Sequence, residues 1–457
     1  MKRRKLRQQK VKKAPFKREE FVGTVSMTRE GYGFVEIPGQ ENDIFVSAPK
    51  LRGALNGDTV KVVTTKAKGV GPDGKPKRIE GEVLFILERS KLPHIGILQV
   101  TRSEAWVIME SRVMPYDIKI PINDLDKWFP DTEENPRDPK KISGLKVAVI
   151  VKDWPRRAMA PIGELIDILG VPGENDTEMH SILAEFGLPY RFEANVEEAA
   201  NAISTEITAA EISRRRDFRE VTTFTIDPAD AKDFDDAISY QILPSGNVEV
   251  GVHIADVTHY VRPGSIIDKV AFERGTSVYL VDRTVPMLPE KLSNNLCSLR
   301  PQEDKLCFSA VFELDEKANI INEWFGRTVI NSNVRLDYDE AQQTIETGEG
   351  LLATEILAVH KLAEILRAKR FKAGAINFER PEMKVQIDET GKPIGVYEKI
   401  GKEANWLIEE FMLLANRRVA QFIGKPKGRG AKVKTFVYRV HEDPNPEKIE
   451  ALRKFVH

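Results

Sequence analysis

FTIDPADAKDFDDAI, residues 224–238, places five aspartates within ten residues and a single lysine among them. Apolar, β-prone residues flank the acids on both sides, which is typical of folded structure rather than of a solvated tail. Two carboxylates about 4 Å apart repel by about 1–4 kcal/mol, depending on the local dielectric, so a fold that gathers them needs a neutralising partner. Hard divalent cations bound by carboxylate oxygens are the ordinary partner. The pattern favours a metal site; an acidic surface loop is the simpler alternative.

The spacing of the acids predicts the shape of this segment. Pro228 ends the first strand at Asp227, because proline cannot continue a strand interior. In an extended chain Asp233 and Asp235 share a face and Asp236 points away. Only a curled loop brings these four aspartates together. An EF-hand is excluded, because the loop counted from Asp227 has lysine where glycine is required and isoleucine where glutamate is required.

Two series of short β-rich runs precede the acidic segment. The runs FVGTVSMT, GYGFVEI, DIFVS and DTVKVV, between residues 21 and 63, predict a small barrel. The stretch KAKGVGPDGKPKR, residues 66–78, is glycine- and lysine-rich and predicts a loop or hairpin before GEVLFILER opens the second series. Further strands at 95–100, 105–109, 118–122 and 146–151 predict a second OB-like barrel.

Three aromatic residues of the first series have two interpretations. Strand alternation puts Tyr32 and Phe34 on one face, and Phe45 follows one strand later. They either form an exposed platform on which bases stack or fill the barrel interior. GYGFVEI followed by DIFVS is similar to the paired RNA-binding motifs of cold-shock OB domains, which favours the platform and RNA binding.

Domain boundaries follow from changes in pattern. GELIDILG (163–170) and EMHSILAEFGLPYRF (178–192) predict short connecting helices, and amphipathic helices are predicted at 354–372 and 404–423. We predict a multidomain chain with two OB-like barrels followed by an α/β domain. The predicted boundaries are a basic disordered tail at 1–20, OB/cold-shock domain 1 at 21–80, OB-like domain 2 at 81–160, a helical connector at 161–205 and the α/β domain at 206–457.

Charge and composition narrow the class of protein. The chain has 69 Lys or Arg and 70 Asp or Glu, but residues 1–18 hold ten basic residues and no acid. Such a tail favours contact with a polyanion over a mere solubility segment.

The two cysteines, Cys297 and Cys307, predict buried thiols rather than a disulfide. With no run of about eighteen apolar residues, a cytoplasmic protein without a membrane partner is expected. The sequence does not define the oligomeric state, and a monomer is favoured.

The segment TIDPADAKDFDDAIS resembles the catalytic signature of the RNB domain in the RNase II and RNase R exoribonucleases. The blocks VHIADVTHYVRPGSIIDKVAFERGTSVYLVDRTVPMLPEKLSNNLCSL, AINFERPE, WLIEEFMLLAN and YRVHEDPNP resemble successive blocks of that family in the same order. With two OB-like modules in front, the arrangement is most similar to the RNase R branch.

The resemblance implies a hydrolytic 3′ to 5′ exoribonuclease that degrades single-stranded RNA to nucleoside 5′-monophosphates. It implies a Mg²⁺ site built by Asp227, Asp233, Asp235 and Asp236 at the bottom of an RNA channel, with Asp230 outside the set. Two metal ions would stabilise the attacking water and the leaving 3′-oxygen. Asp235, together with Asp233, is expected to be the most critical acid for the chemistry.

The same resemblance assigns RNA contacts. Tyr279 aligns with a tyrosine that stacks on the terminal base, and Phe378 is the candidate for the second side of an aromatic clamp. Glu410 rather than Glu409 is expected near the terminal nucleotide, since adjacent helix positions point about 100° apart. His253 and Asp256 are expected to be hydrogen-bonded structural residues.

The family continues beyond the YRVHEDPNP block with an arginine-bearing SPIRRY-type block and a C-terminal OB domain. Neither is found before His457, so we expect an RNB domain that is incomplete at its C-terminus. The alternatives are a catalytically incomplete RNA-binding or adaptor protein and, more distantly, a metal-dependent phosphodiesterase acting on DNA or small nucleotides.

Overall fold

The structure is a computed structural model, and it describes residues 18–28, 30–40, 42–65, 79–111, 113–130, 132, 137–155, 158–376, 381–388, 391–425, 432, 434–438, 440 and 443–456. The chain divides into two compact units, Met1–Arg191 and Phe192–His457. Within the described residues no helix is long and apolar enough to cross a membrane. Phe378, the candidate clamp residue, lies outside the described residues.

A five-stranded closed barrel opens the first unit, with strand order β1-β2-β3-β5-β4. Its strands are β1 (Glu20–Met27), β2 (Gly33–Glu36), β3 (Ile44–Val46), β4 (Thr59–Thr65) and β5 (Glu80–Glu88). Valines and isoleucines at alternate positions fill the interior, as two-residue periodicity requires, among them Val35, Ile44, Val46, Val60 and Val62.

The strand Glu80–Glu88 corrects one prediction. We expected GEVLFILER to open the second β-rich series, but β5 closes the first barrel by pairing antiparallel with β4 along its whole length. The glycine- and lysine-rich stretch 66–78 therefore connects two paired strands of one barrel. Its composition is that of a linker, and composition alone does not distinguish a linker from a long hairpin connection.

A second closed barrel follows, with strand order β10-β8-β7-β6-β9. Its strands are β6 (His94–Val100), β7 (Ala105–Met109), β8 (Ile118–Ile120), β9 (Lys146–Asp153) and β10 (Ile162–Gly170). The helix predicted at 163–170 is wrong, because that segment is strand β10. Register shifts after Ile162, after Leu165 and after Ile168 break the two-residue alternation. The apolar residues of this strand are therefore not spaced two apart: Ile162, Leu165, Ile166 and Leu169 have the spacing of a helical face.

Two helices complete the first unit, α1 (Pro139–Ile142) and α2 (Asn175–Glu185), with short 3₁₀ turns at Ala48–Lys50 and Ile122–Lys127. Helix α2 confirms the helix predicted within 178–192, and it contacts β6, β9 and β10. A cavity of about 430 Å³ lies beside it, lined by Leu92, Ile166, Ala184 and Tyr190 among others.

A seven-stranded sheet organises the second unit, in the order β11-β18-β17-β14-β13-β12-β19. The strands are β11 (Arg216–Phe218), β12 (Thr223–Asp227), β13 (Asp236–Ile242), β14 (Val248–Ala255), β17 (Asp304–Leu314), β18 (Ile320–Asn331) and β19 (Val334–Asp337). Strands β15 (Val278–Tyr279) with β16 (Thr284–Val285), and β20 (Glu382–Ile387) with β21 (Pro393–Lys399), form two hairpins. The pairs β11·β18 and β12·β19 are parallel, and the other neighbours in the sheet are antiparallel.

The helices of this unit are α3 (Ala194–Asn201), α4 (Ala209–Ile212), α5 (Val257–Tyr260), α6 (Ile266–Arg274), α7 (Tyr338–Thr347), α8 (Ala353–Lys372), α9 (Glu403–Gly424) and α10 (Pro446–Val456), with a π-helical turn at Leu292–Leu296. Both predicted amphipathic helices are confirmed as α8 and α9. Their apolar faces and the sheet form one core, which contains Phe224, Val252, Ile356, Leu362 and Phe411. The predicted fold class, two OB-like barrels followed by an α/β domain, is confirmed.

Candidate active site

The acidic segment forms a curled loop between two neighbouring strands. Strand β12 ends at Asp227 and β13 begins at Asp236. The two strands pair antiparallel, with Phe224 opposite Ile238, so residues 228–235 must reverse the chain direction. The strand end at Asp227 and the curled loop both follow the prediction made from Pro228 and the spacing of the acids.

Neutral hydrogen bonds hold this loop against the segments beside it. The Ser298 hydroxyl donates to the Lys232 carbonyl over 2.9 Å and accepts from the Phe234 amide over 3.1 Å. The Leu299 amide donates to the Phe234 carbonyl over 2.8 Å, and the Ala255 amide donates to the Asp235 carbonyl over 3.0 Å. The backbone of the loop is therefore tied to β14 and to the chain that leads into β17.

Asp227 is the buried acid of the group. Its side chain lies on a residue that is only 8% exposed, and its Oδ2 is buried without a hydrogen-bond partner among the described residues. Burial raises the pKa of Asp227 to about 6. The Thr225 side chain and the positive charge of Arg335 oppose this shift, whereas the negative charges of Asp233 and Asp235 add to it. A buried carboxylate oxygen without a donor is a vacant ligand for a cation.

The other acids lie in the same electrostatic field. Burial raises the pKa of Asp236 to about 6, with further contributions from Asp227 and Asp235. Partial desolvation and the charge of Asp233 also raise the pKa of Asp235, which is the most exposed of the four. Because the charges of these acids raise one another's pKa values, the four acids are neighbours. Asp230 is exposed, and it contributes to none of these shifts.

Two tyrosines face the acids. Tyr279, in β15, is 70% exposed, and its pKa is raised by partial burial and by the charges of Asp233 and Asp235. Burial, followed by the charges of Asp236 and Asp227, raises the pKa of Tyr338 to about 12. We did not select Tyr338 from the sequence. It reaches the site because β19 pairs in parallel with β12, which aligns Asp337 with Asp227, and no local pattern signals that pairing.

The donor set suits a hard divalent cation, but it is not closed. The available ligands are carboxylate oxygens, the class that Mg²⁺ prefers, and one of them is buried without a donor. Within the residues that the structure describes, no three His, Cys, Asp or Glu side chains are gathered closely enough to hold a metal ion. Like charges oppose such convergence unless a cation lies between them. Asp227 is buried, in agreement with the expectation that the four acids fold inward, whereas Asp235 is exposed.

Glu410 is placed apart from this loop in a buried ion pair. It is 3% exposed on α9 and accepts from Arg370 Nε on α8 over 3.0 Å. Arg370 Nη2 also donates to Glu409 over 3.0 Å. One guanidinium on α8 therefore contacts both glutamates, and the placement of Glu410 near the terminal nucleotide stays a prediction. Within the described contacts, neither glutamate is joined to the acidic loop.

The aromatic residues of the first barrel lie on its outer face. The ring centroids of Tyr32, Phe34 and Phe45 are 5.3–5.9 Å apart, and all three side chains are partly exposed. Their neighbours Val35 and Ile44 are buried instead, because successive side chains of a strand point to opposite faces. The interior interpretation is therefore wrong, and the three rings form a contiguous, accessible aromatic surface.

His253 and Asp256 are structural, as predicted. His253 is fully buried, and its two ring nitrogens lie 2.7 Å and 2.8 Å from the hydroxyls of Ser309 and Ser239. Asp256 is 3% exposed and accepts from Arg215 over 2.8 Å. Both cysteines, at positions 297 and 307, are free and buried, in agreement with the prediction.

Family models match three consecutive parts of the chain. The RNB domain matches residues 215–457, the Ribonuclease B OB domain matches residues 23–79 and the Cold shock domain matches residues 106–193. The RNB match contains the acidic loop, Tyr279, Tyr338 and both glutamates. The chain belongs to the RNB domain family, and the suspected resemblance is confirmed.

Individual relatives agree with this assignment. Ribonuclease R of Aquifex aeolicus is 34% identical over 443 residues, which is 95% of this chain and 58% of that protein. Mycoplasma genitalium RNase R in complex with ribose methylated single-stranded RNA has a TM-score of 0.79 at 24% identity, over 95% of this chain and 66% of that chain. Yeast Ssd1, a pseudonuclease, has a TM-score of 0.57 at 20% identity, over 89% of this chain and 54% of that chain. The chain thus spans less than two thirds of the relatives that it matches.

Proposed function

We propose that this chain carries the metal-dependent centre of a hydrolytic 3′ to 5′ exoribonuclease that degrades single-stranded RNA to nucleoside 5′-monophosphates in the cytoplasm. The observation that carries the proposal is the acidic loop. Its backbone is held by hydrogen bonds from neighbouring segments, while Asp227 is buried and Asp236 is partly buried, and both have raised pKa values without an ion pair among the described residues. Membership of the RNB domain family and the RNA-bound state of the M. genitalium relative support the choice of RNA as substrate.

The proposed ligands of Mg²⁺ are Asp227, Asp233, Asp235 and Asp236. When bound, the metal would activate water and stabilise the charge that develops on the reacting phosphate. Asp227 offers a buried oxygen that has no hydrogen-bond donor in the part of the chain that the structure describes, and Asp236 begins the strand on the other side of the loop. Asp235 is the most accessible of the four acids, which suits a group that meets both metal and substrate. We therefore assign the largest catalytic effect to Asp235, together with Asp233.

The remaining assignments concern RNA. Tyr279 is exposed beside Asp233 and Asp235, where a stacked terminal base would bring its phosphate to the acids. Stacking uses only the π face of a base, so it accepts every nucleotide. Phe378 as the opposing ring and Glu410 as a contact of the terminal nucleotide remain proposals from the family pattern. The surface of Tyr32, Phe34 and Phe45 is the proposed landing site for single-stranded RNA on the first barrel.

The test is degradation of uniformly labelled poly(A) in Mg²⁺ and in EDTA, with mononucleotides separated by chromatography. The proposal expects mononucleotide release in Mg²⁺ only. Asp235→Asn is expected to abolish release and to leave RNA retention in a gel within about twofold of the parent protein, because a single neutral change at an exposed acid leaves the aromatic contacts intact. Asp230→Asn is the matched control, since Asp230 lies in the same loop outside the proposed ligand set.

Loss of RNA retention together with hydrolysis in Asp235→Asn would contradict the assigned role. Equal loss in Asp230→Asn would contradict the specific ligand set. A parallel assay on oligo(dA) separates this proposal from a phosphodiesterase without ribose preference.

A second candidate function is an RNA-binding or adaptor protein that does not cut. One observation favours it: the described acids do not form a closed ligand set. The fold is also shared with yeast Ssd1, a pseudonuclease. In the poly(A) assay this candidate predicts RNA that is retained and intact in both Mg²⁺ and EDTA.

A further inference from the structure

Arg335 lies against the acidic loop, although nothing in its sequence surroundings marks it as part of the site. It belongs to β19, the edge strand that pairs in parallel with β12. Its Nη2 donates to the carbonyl of Pro228 over 2.6 Å and to the carbonyl of Ala229 over 3.1 Å. These two carbonyls belong to the first residues after Asp227, where the chain leaves β12 and begins to curl.

The same guanidinium also reaches the other end of the loop. The Cζ atom of Arg335 is 5.5 Å from the centroid of the Phe234 ring, within the range of a cation–π contact. Phe234 precedes Asp235 directly. One side chain thus contacts the residues that follow Asp227 and the residue that precedes Asp235, so it spans the loop from which the four acids project.

The contacts of Arg335 supplement a hydrogen bond inside the loop. The Ala231 amide donates to the Pro228 carbonyl over 3.0 Å, and Arg335 donates to that same carbonyl. A carbonyl oxygen has two lone pairs and accepts both bonds. Among the hydrogen bonds of the described residues, the turn Pro228–Ala231 would retain its internal bond alone without Arg335. Ser298 holds the far part of the loop, at Lys232 and Phe234, but none of its described hydrogen bonds reaches Pro228 or Ala229.

We propose that Arg335 is a positioning residue for the divalent-cation site: it clamps the two ends of the acidic loop so that Asp227 stays close to Asp233, Asp235 and Asp236. The inference rests on the proposed metal-dependent function. Arg335 touches the backbone and one ring rather than a metal ligand's oxygen, so it acts through the loop. The positive charge of Arg335 alone would weaken cation binding, whereas its contacts with the loop would strengthen it. The two effects therefore change the Kd for the cation in opposite directions.

The experiment measures Mn²⁺ binding by electron paramagnetic resonance, with the full chain and without RNA, for the parent protein, Arg335→Lys and Arg335→Met. Residues that orient metal ligands typically change metal affinity by about ten- to a hundredfold when replaced. We expect the Kd for Mn²⁺ to increase by at least about tenfold in Arg335→Met. Arg335→Lys retains the charge and one donor, so an intermediate Kd is expected. Tighter Mn²⁺ binding in Arg335→Met would overturn the proposal, because it would mean that Arg335 affects the cation through charge repulsion and not by positioning the loop.

The matched control is Arg216→Met. Arg216 has comparable surroundings, with the Phe218 ring 4.7 Å away and Glu249 as hydrogen-bond partner over 2.8 Å. It lies in β11, at the opposite edge of the same sheet. The control is expected to keep the parent's Kd for Mn²⁺. An equal loss of affinity in Arg216→Met would show a general effect of sheet stability and would overturn the clamp.

Hydrogen–deuterium exchange in EDTA separates the clamp from the proposed function. In Arg335→Met the amides of residues 229–235, Ala231 above all, are expected to exchange about tenfold faster, while those of β14 remain unchanged. If the parent protein does not bind Mn²⁺, the proposed function is wrong. Amide exchange in EDTA still tests whether Arg335 holds the loop, because that measurement needs no metal. Unchanged exchange across the loop in Arg335→Met overturns the clamp even where the parent binds Mn²⁺.

Discussion

Asp227→Asn is expected to stabilise the metal-free protein near pH 7.5, although it removes a proposed metal ligand. The carboxylate of Asp227 is buried, its Oδ2 lacks a hydrogen-bond partner among the described residues, and its pKa is raised to about 6. A raised carboxyl pKa means that folding disfavours the charged form. Replacing the acid with its neutral isostere removes that penalty.

The magnitude follows from the pKa. The folded value of about 6 exceeds the ordinary value of 3.8, and this difference corresponds to about 3 kcal/mol of destabilisation by the charged form. The asparagine amide would occupy the same buried position without a partner for one of its groups, which costs about 1 kcal/mol. The expected net gain is about 2 kcal/mol, or about 4–8 °C in the melting temperature of a domain of this size.

The sign of the pH dependence is defined by the same values. Because the folded pKa lies above the unfolded pKa, the folded state binds the extra proton between about pH 4 and pH 6. The contribution of Asp227 to stability is therefore complete below about pH 4 and is lost as the pH rises through about 6. The advantage of Asp227→Asn should be largest above pH 7 and should disappear near pH 4.

The assay is differential scanning calorimetry of the full chain in EDTA at several pH values, then in Mg²⁺ at pH 7.5. The transition that shifts on substitution reports the unit that contains Asp227. A cation at a hundred times its Kd stabilises the parent by about 2.7 kcal/mol, and Asp227→Asn loses most of that gain, so the order of stability should reverse in Mg²⁺. A variant that is less stable than the parent in EDTA at pH 7.5 would refute the reasoning.

Two further results are expected. Replacing Phe34 or Phe45 with alanine should weaken single-stranded RNA binding by about 1–3 kcal/mol per lost stacking contact, which fluorescence anisotropy measures. The barrel should stay folded, because the buried Val35 and Ile44 are unchanged. An unchanged affinity would show that this surface does not bind RNA. Binding of Mn²⁺ should release about one proton at pH 6 and almost none at pH 8, because Asp227 and Asp236 both have a pKa of about 6 and must be ionised to bind a metal. Calorimetric titrations in buffers of different ionisation enthalpy measure that number, and equal release at both pH values would contradict it.

Local patterns in the sequence predicted the elements that local rules control. The series of short β-rich runs between residues 21 and 63 indicated the first barrel, and Pro228 marked the end of β12 at Asp227. Helical spacing predicted α8 and α9 to within a residue or two of their observed ends. In each case the periodicity of a single segment carries the information, because burial on one face requires it.

Features that depend on pairing distant segments were missed. Strand β10 looked helical because its apolar residues do not alternate, which the three register shifts against β9 accommodate. Tyr338 and Arg335 reach the acidic loop only through the parallel pairing of β19 with β12, about 110 residues apart in sequence. The shared contact of Glu409 and Glu410 with Arg370 needed the packing of α8 on α9. None of these arrangements has a signature within one segment.

Partners, rather than burial, distinguish the acids of the loop from the other buried acids. Asp256 is more deeply buried than Asp227, but Arg215 and Thr258 donate hydrogen bonds to it, and its pKa is lowered. Glu410 is equally buried and is held by Arg370. Asp227 has a buried Oδ2 without a hydrogen-bond partner among the described residues, and its pKa is raised. An unpaired buried charge costs more than an ion pair of the same depth, and a bound cation would offset that cost. For that reason the acidic loop, and not the more deeply buried Asp256 or Glu410, is where we place the cation.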